Sequence, residues 1–316
     1  MRRIQSAICW LLIGTSLSVI SSAALFAQTK LGFDLNAASV PIDEIVAGGA
    51  EKDGIPSIDF PQYINAGEAR FLRGRERVLG IACNGISRAY PIKILNYHEI
   101  VNDVIGDTPV VITFCPLCGS GMAFFAKHKD QRLIFGVAGL LYNNDVLLYD
   151  RPSESLWSQI MSEAITGPMR GARLIALPVS HTTWRDWRER HPDSQVLSDD
   201  TGFSWDYDVD HYPDYARSGR VFFPLSAQSG EYRRKEMVMG LAIDGQFKAY
   251  PFRELKRGPQ QFSDQFAGRR FDIQYDHRNR TARAVDEQGA EVATVLAYWF
   301  AWYAFHPDTE IYKAEK

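Results

Sequence analysis

The 316-residue chain is poor in cysteine and carries no long block of charge of one sign. No Cys-x-x-Cys-His sequence occurs, which argues against c-type haem attachment. No phosphate-binding glycine loop occurs, which argues against a nucleotide cofactor, and the missing Gly-x-Ser-x-Gly elbow argues against ester hydrolysis. A net charge of −3 without a basic stretch argues against a nucleic-acid partner.

The N-terminus has the pattern of an export signal. A basic Met1–Arg3 precedes the apolar run Ala7–Phe26, and small residues stand before Gln28. We predict a signal peptide over residues 1–27, cleaved near Ala27, and therefore a secreted or periplasmic protein. The alternative is an uncleaved N-terminal anchor, the one route by which we expect contact with a membrane.

The cysteine count suits a site that uses thiols. Cleavage removes Cys9 and leaves Cys83, Cys115 and Cys118 in the mature chain. An odd number in an oxidising compartment leaves at least one thiol unpaired or bound to a metal.

An internal repeat dominates the rest of the chain. Val78–Leu95 is matched 160 residues later by Val238–Leu255, with glycine, alanine, tyrosine, proline and leucine identical at corresponding places. Each copy predicts a hairpin, because an apolar strand runs into Asn84-Gly85 or Asp244-Gly245 and a second strand returns.

We therefore predict a mostly β or α+β protein with two internally repeated β-rich halves joined by a middle segment. The expected divisions are a lead segment at 28–55, a first repeat with the cysteines and the middle region at 56–236, and a second, cysteine-free repeat with the aromatic C-terminal segment at 237–316.

The middle segment predicts further strands. Leu133–Tyr142 and Val146–Asp150 are apolar and flank a turn at Asn143–Asp145. Ser153–Gln159 is interpreted as a loop entering a short helix, and Ser180 as the cap of a helix that carries two tryptophans.

Cys115 and Cys118 form a Cys-x-x-Cys turn directly after the apolar run Val110–Phe114. Such a turn binds a soft metal, cycles between dithiol and disulfide, or closes a structural disulfide. The second copy has no such pair, and Cys83 is replaced there by Ile243. This asymmetry favours chemistry over a purely structural role for the pair.

A metal site needs further ligands, since the chain has a single such turn. We predict His98, Cys83 or a carboxylate as the additional ligand, and copper or zinc as the metal. A redox dithiol would need a helix N-terminus to lower one thiol's pKa. The residues after Cys118 predict a strand there instead. Residues expected to orient ligands, or otherwise to serve as turns, caps and core, are Glu99, Asn102, Asp103, Asn144, Asp145 and Trp157.

Several motifs together resemble one family, the domain of unknown function 3179. The motifs are Arg88–Pro91, Asn96–Asp103, Thr113–Ser120, Gly139–Asp145, Ser155–Gln159, Trp299–Trp302 and Phe305–Thr309. The resemblance spans residues 56–312 and implies a secreted or membrane-attached protein, but it brings no activity.

The leading hypothesis is an exported protein that binds copper or zinc through Cys115 and Cys118 with His98. The alternatives are a periplasmic thiol-disulfide oxidoreductase and a non-catalytic scaffold that binds a protein or small-molecule partner. The residues leave open whether the protein is an enzyme.

Overall fold

The computed structural model describes residues 28–315, so the predicted signal peptide lies outside the described residues. The predicted mostly β fold is confirmed, since strands greatly outnumber helices. No helix in the described range has the length and apolarity needed to cross a bilayer.

Short strands make up most of the regular structure. In chain order they are β1 (Thr29–Lys30), β2 (Phe33–Asp34), β3 (Ile45–Ala47), β4 (Tyr63–Asn65), β5 (Arg77–Cys83), β6 (Ile86–Pro91), β7 (Ile100–Ile105), β8 (Thr108–Cys115), β9 (Ser120–Phe125), β10 (Lys127–His128), β11 (Gln131–Arg132), β12 (Phe135–Tyr142), β13 (Asp145–Asp150), β14 (Leu156–Ser158), β15 (Glu163–Ala164), β16 (Ala176–Leu177), β17 (Ser180–Thr183), β18 (Gln195–Leu197), β19 (Met237–Ile243), β20 (Gln246–Pro251), β21 (Gln261–Phe266), β22 (Arg269–Asp276), β23 (Thr281–Asp286), β24 (Glu291–Val292), β25 (Val295–Tyr298) and β26 (Glu310–Ile311). The helices are α1 (Ile92–His98), α2 (Trp184–Arg190), α3 (Phe252–Leu255) and α4 (Trp299–Phe305), with 3-10 turns at Ile42–Glu44 and Tyr215–Arg217.

The strands form four main sheets. The largest has the order β26-β20-β19-β25-β9-β8-β7, with β16 also pairing with β9. Two five-stranded sheets have the orders β15-β14-β13-β12-β3 and β17-β5-β6-β18-β4, and a four-stranded sheet has the order β21-β22-β23-β24. The division predicted at residue 236 stays a prediction, and the largest sheet takes strands from both sides of it.

The two similar segments fold into hairpins with the same register. β5 and β6 pair Val78 with Pro91, and β19 and β20 pair Val238 with Pro251. An outer strand, β17 or β25, pairs antiparallel with the first strand of each hairpin. A short helix follows it, and β18 or β26 then pairs parallel with the second strand.

A glycine lets a tryptophan of that helix pack directly on each hairpin. A Cβ at Gly80 would lie 2.1 Å from the Trp187 ring, and one at Gly240 would lie 2.1 Å from the Trp302 ring. Each indole N–H donates to a hydroxyl after the helix, at 2.8 Å in the first unit and 3.0 Å in the second.

The next strands also correspond. β8 and β9 are joined by a loop that contains Pro116 to Gly119, and β22 and β23 are joined by His277 to Arg280, which lie one residue farther along the chain from their own hairpin. The last residue of each loop has a positive φ, 62° at Gly119 and 48° at Arg280. The cysteine loop (Cys115–Gly119) thus has a counterpart without cysteine.

Two local predictions were wrong. Ser153–Gln159 does not enter a helix, because Leu156–Ser158 forms β14 and pairs with β13 in a fully buried strand. Ser180 lies within β17, and the helix with two tryptophans is capped by Thr183, whose side chain accepts from the Asp186 N–H. A β-branched hydroxyl residue directly before the helix serves the same capping function.

Candidate metal centre

The cysteine loop is held rigidly between β8 and β9. Cys115 ends β8 and is the register partner of Ser120, which begins β9. The Cys118 carbonyl accepts the Tyr298 N–H at 2.8 Å, which ties the loop to β25. Gly119 has φ 62°, and a Cβ there would lie 3.0 Å from the Tyr298 ring. Glycine is therefore favoured here for both its φ and its small size.

The turn between β12 and β13 meets the cysteine loop. Asn143 and Asn144 both have positive φ, 55° and 64°, as a type I′ turn requires. The Asn144 carbonyl accepts hydrogen bonds from both thiols, at 3.5 Å from Cys115 Sγ and at 3.3 Å from Cys118 Sγ. The turn thus places Asp145 beside the two sulfurs.

Cys115, Cys118 and Asp145 form a buried cluster that could hold a metal ion. One ligand atom from each residue lies within 4.8 Å of the others. The two cysteines are 2% and 0% exposed and Asp145 is 0% exposed. Asp145 Oδ2 accepts the Ile160 N–H at 3.0 Å, whereas Oδ1 has no hydrogen-bond partner among the described residues.

Burial disfavours the charged forms of Asp145, Cys118 and Glu99 when no cation is bound. Burial raises the pKa of Asp145 to about 7. Burial, with Cys115 and Asp145 nearby, holds the pKa of the Cys118 thiol well above its usual range. Burial and then the Asp145 carboxylate raise the pKa of Glu99 to about 8. These shifts share one cause, since several acidic groups occupy one desolvated space.

A lysine and three tyrosines surround the sulfurs. The Lys235 ammonium lies 2.9 Å from the Tyr215 ring centre and 5.3 Å from that of Tyr298, and it donates to the Tyr215 carbonyl at 3.2 Å. Burial lowers the pKa of Lys235 to about 8, and the nearby Cys118 opposes that shift. Burial and then Glu99 and Cys115 raise the pKa of Tyr212. The side chains around the sulfurs therefore supply one cation and three aromatic rings.

A long segment covers the cluster. Residues 198–236 connect β18 to β19 with only one 3-10 turn, and we call them the covering segment. Asn144 fixes it to the turn, because its side chain donates to the Phe223 carbonyl at 2.7 Å and accepts the Phe223 N–H at 3.0 Å. Asn143 accepts the Ser226 N–H at 2.7 Å.

His98 is not part of the cluster. Its Nδ1 lies 2.8 Å from the Pro56 carbonyl and its Nε2 lies 2.7 Å from the Tyr207 hydroxyl. A carbonyl only accepts, so Nδ1 carries the proton and Nε2 accepts from Tyr207. Burial lowers the pKa of His98. The lone pair that a metal would need is already used, and the structure brings Asp145 to the sulfurs instead.

Cys83 also lies apart from the cluster. It ends β5 opposite Ile86 and packs against a different hydrophobic core from the one that contains Cys115 and Cys118. All three thiols are free.

Three residues expected to orient ligands have structural partners elsewhere. Asn102 clamps the Phe135 backbone with two hydrogen bonds of 2.8 Å. Asp103 accepts from Arg88 at 2.6 Å and from two tyrosine hydroxyls. The Trp157 N–H donates to Asp150 at 2.8 Å. Of the residues in that set, Glu99, Asn144 and Asp145 lie at the cluster.

The surrounding Lys235, Tyr212, Tyr215 and Tyr298 were not predicted. Lys235 ends the run Arg233–Lys235, which resembles an ordinary solvated surface. Tyr298 is brought to the cysteine loop by sheet pairing between distant strands. No local pattern carries that information.

Comparison with known proteins gives a family but no function. A family model described as Protein of unknown function (DUF3179) matches residues 52–309. No curated protein and no solved structure matches the chain.

Proposed function

The chain belongs to the DUF3179 family, and we propose from the site itself that it binds a transition-metal ion, zinc or copper, through Cys115, Cys118 and Asp145. The observation that carries the proposal is the convergence of two thiols and one carboxylate within 4.8 Å in a fully buried space. Buried acidic groups of this kind are otherwise costly.

The donor set fits such an ion. Thiolates suit zinc and copper, and a carboxylate oxygen suits zinc better than cuprous ion. Asp145 Oδ1 is buried without a hydrogen-bond partner in the described range, so an oxygen that could bind a metal is already desolvated at the cluster. Three protein ligands leave one coordination position open, the arrangement found in zinc sites that act on a further molecule.

The surrounding charge also fits. Two thiolates and one carboxylate carry three negative charges, so a divalent ion leaves one negative charge in a desolvated space. Lys235 lies close enough for the Cys118 thiolate to favour its charged form. Its ammonium would offset the remaining charge.

The chain's own groups have separable roles. Asn144 positions the two thiols through its carbonyl and holds the covering segment through its side chain. Ile160 orients the Asp145 carboxylate. When bound, the ion would supply Lewis acidity at the buried cluster.

Metal analysis of the exported full chain tests the proposal. We expect close to one zinc or copper ion per chain by elemental analysis. Cys115→Ser, Cys118→Ser and Asp145→Asn should each lower metal affinity at least about tenfold, because each removes a ligand. Circular dichroism shows whether each variant is folded.

Two matched controls decide the ligand set. Cys83→Ser removes a thiol outside the cluster, and His98→Gln removes the imidazole that the sequence predicts as a ligand. Both should keep full metal content. Loss of metal in His98→Gln together with retention in Asp145→Asn would show that the ligand set is wrong, and metal-free wild type would contradict the proposal itself.

A thiol-disulfide oxidoreductase is the second candidate, favoured by the proximity of two free thiols. Two observations weigh against it. The pair lies between two strands and not at a helix N-terminus, and burial holds the pKa of Cys118 high. A reactive thiol needs the opposite shift. Rapid reaction of the metal-free pair with glutathione disulfide would favour this candidate over metal binding.

Export is also proposed, on the signal-like pattern of residues 1–27. The mass of the N-terminal peptide from a periplasmic fraction tests it. A mature chain that begins near Gln28 supports cleavage, and an intact Met1 in the membrane fraction supports the anchor.

A further inference from the structure

A cavity of about 380 Å³ lies directly beside the cysteine loop. Gly119, Lys235 and Tyr298 form the side that faces the loop. Other lining residues come from both hairpin units, since Arg77 begins β5 and Arg280 ends the loop before β23. We call this space the basic cavity.

Positive charge dominates the lining of the basic cavity. Arg77, Arg217, Lys235 and Arg280 line it, and no acidic residue does. Arg217 pairs with Asp214 outside the cavity. In the described part of the chain, the other three cations have no carboxylate within the 4.0 Å of a salt bridge. The charges of Arg77, Lys235 and Arg280 are therefore not neutralised by salt bridges within the described residues.

Arg77 is held in place by backbone groups. It donates to the Asn279 carbonyl at 2.6 Å, to the Arg280 carbonyl at 3.3 Å and to the His181 carbonyl. Burial, and then the charge of Arg280, lowers the pKa of Arg77 to about 10, with Asp186 acting in the opposite direction. The two guanidinium groups thus lie close enough for their charges to repel each other.

A buried histidine adds an unpaired polar group. His181 lines the same cavity and is 6% exposed. Its Nδ1 has no hydrogen-bond partner among residues 28–315. Burial and then Arg77 hold the pKa of His181 well below its usual range. Unpaired buried groups are rare in folded proteins and call for a partner.

Part of the lining is apolar. The apolar contributors are Ile92, Phe114, Met237, Phe252 and Leu296. The volume lies within the range of pockets that take small molecules. A bare inorganic anion would leave these side chains uncovered.

We propose that the basic cavity binds a small organic anion, a carboxylate or phosphate ester with an aromatic or branched body. Arg217, Lys235 and Arg280 hold the anionic group, and the apolar residues contact the body. Guanidinium groups suit this role because they donate two parallel hydrogen bonds to one carboxylate or phosphate. The cavity adjoins the cysteine loop, so the ligand would lie next to the proposed metal centre.

Phenyl phosphate is the probe for a direct test with the full chain. Isothermal titration should show binding that weakens as sodium chloride is raised, since salt screens the cations. Inorganic phosphate should bind more weakly, because it does not use the apolar wall. Arg217→Gln with Arg280→Gln should weaken phenyl phosphate binding at least about tenfold, since two charged donors are lost.

The control is Arg188→Gln with Arg269→Gln, which removes two surface arginines outside the cavity and gives the same net charge. It should bind like wild type. Equal weakening in both double variants, or no phenyl phosphate binding by wild type, would overturn the proposal. Equal affinity for phosphate and phenyl phosphate would show that the apolar residues do not contact an organic body.

The Cys115→Ser and Cys118→Ser variants separate this proposal from metal binding. Neither thiol lines the cavity. Phenyl phosphate binding should therefore persist in both variants, whatever their metal content.

Discussion

The buried His306 is the residue from which we expect sensitivity to acid. His306 stacks on Phe247 with ring centres 3.8 Å apart and lies 4.3 Å from the Trp302 ring. Burial lowers its pKa to about 4. His191 occupies the corresponding place after α2, where it contacts the Ser87 hydroxyl and is less deeply buried.

His306→Phe should flatten the dependence of stability on pH. The folded pKa of about 4 is below the ordinary value of 6.5, so unfolding takes up protons. The stability that His306 contributes is full above pH 6.5 and is lost as the pH falls towards 4. The loss is about 3 kcal/mol at most. Urea unfolding of wild type and variant from pH 7 to pH 4 measures it.

His191→Phe is the matched control and should change the dependence of the unfolding free energy on pH less than His306→Phe does. Parallel curves for wild type and His306→Phe would show that this histidine does not control acid stability.

Among single residues of the candidate site, the thiols could be predicted from the sequence, but not all of their neighbours. Cys115 and Cys118 could be singled out because a Cys-x-x-Cys turn has few chemical uses. The sequence predicts Asp145 in a hairpin turn or as a residue that orients ligands, and it favours His98 as a ligand because the second copy lacks that histidine. The choice between them depends on which turn the sheets bring to the cysteine loop, and tertiary packing decides that.

Among the elements, the two hairpins were the most predictable. Asn84-Gly85 and Asp244-Gly245 specify tight turns, and the structure forms each turn where the dipeptide stands. β14 was not predictable in the same way. Leu156–Ser158 is a strand because β13 pairs with it and buries it completely, and local propensity is readily overridden by such burial.

Gly80→Ala and Gly240→Ala should each destabilise the protein by about 1–3 kcal/mol, the usual cost of overpacking. Each new methyl would lie 2.1 Å from a buried indole ring. Gly67→Ala is the control, because nothing lies within 4 Å of a Cβ there. Denaturant midpoints measure the effect. A Gly80→Ala midpoint equal to that of Gly67→Ala would mean that the tryptophan moves aside freely.

In the whole molecule, the covering segment has the least regular structure, and it contributes side chains to the surroundings of the thiols. Connections this long without strands or helices are uncommon in compact proteins and are usually functional. It supplies Tyr212, Tyr215 and Lys235 to the surroundings of the thiols. Its attachment to the β12–β13 turn depends on two asparagine side chains, Asn143 and Asn144.

Asn144→Gly should expose the thiols. Glycine keeps the positive φ of 64° but removes the side-chain hydrogen bonds to Phe223. In metal-free protein with Cys83→Ser, we expect Cys115 and Cys118 to react with a chromogenic disulfide at least about tenfold faster than without Asn144→Gly, as in other local openings.

Asn65→Ala is the control, because the Asn65 side chain is exposed and has no hydrogen bond to the covering segment among the described residues, and it should leave the rate unchanged. Identical rates in all three proteins would show that Asn144 does not restrain the segment.

The burial of the two cysteines, at 2% and 0% exposure, has a kinetic consequence. We expect an ion, a chelator or an oxidant to reach the sulfurs only while the covering segment is displaced. An ion held there would exchange no faster than this displacement, however labile its bonds to sulfur and oxygen are. The residence time of the ion would then be set by how often the covering segment opens. Binding of the ion would be simplest during folding, before the covering segment has packed over the sulfurs.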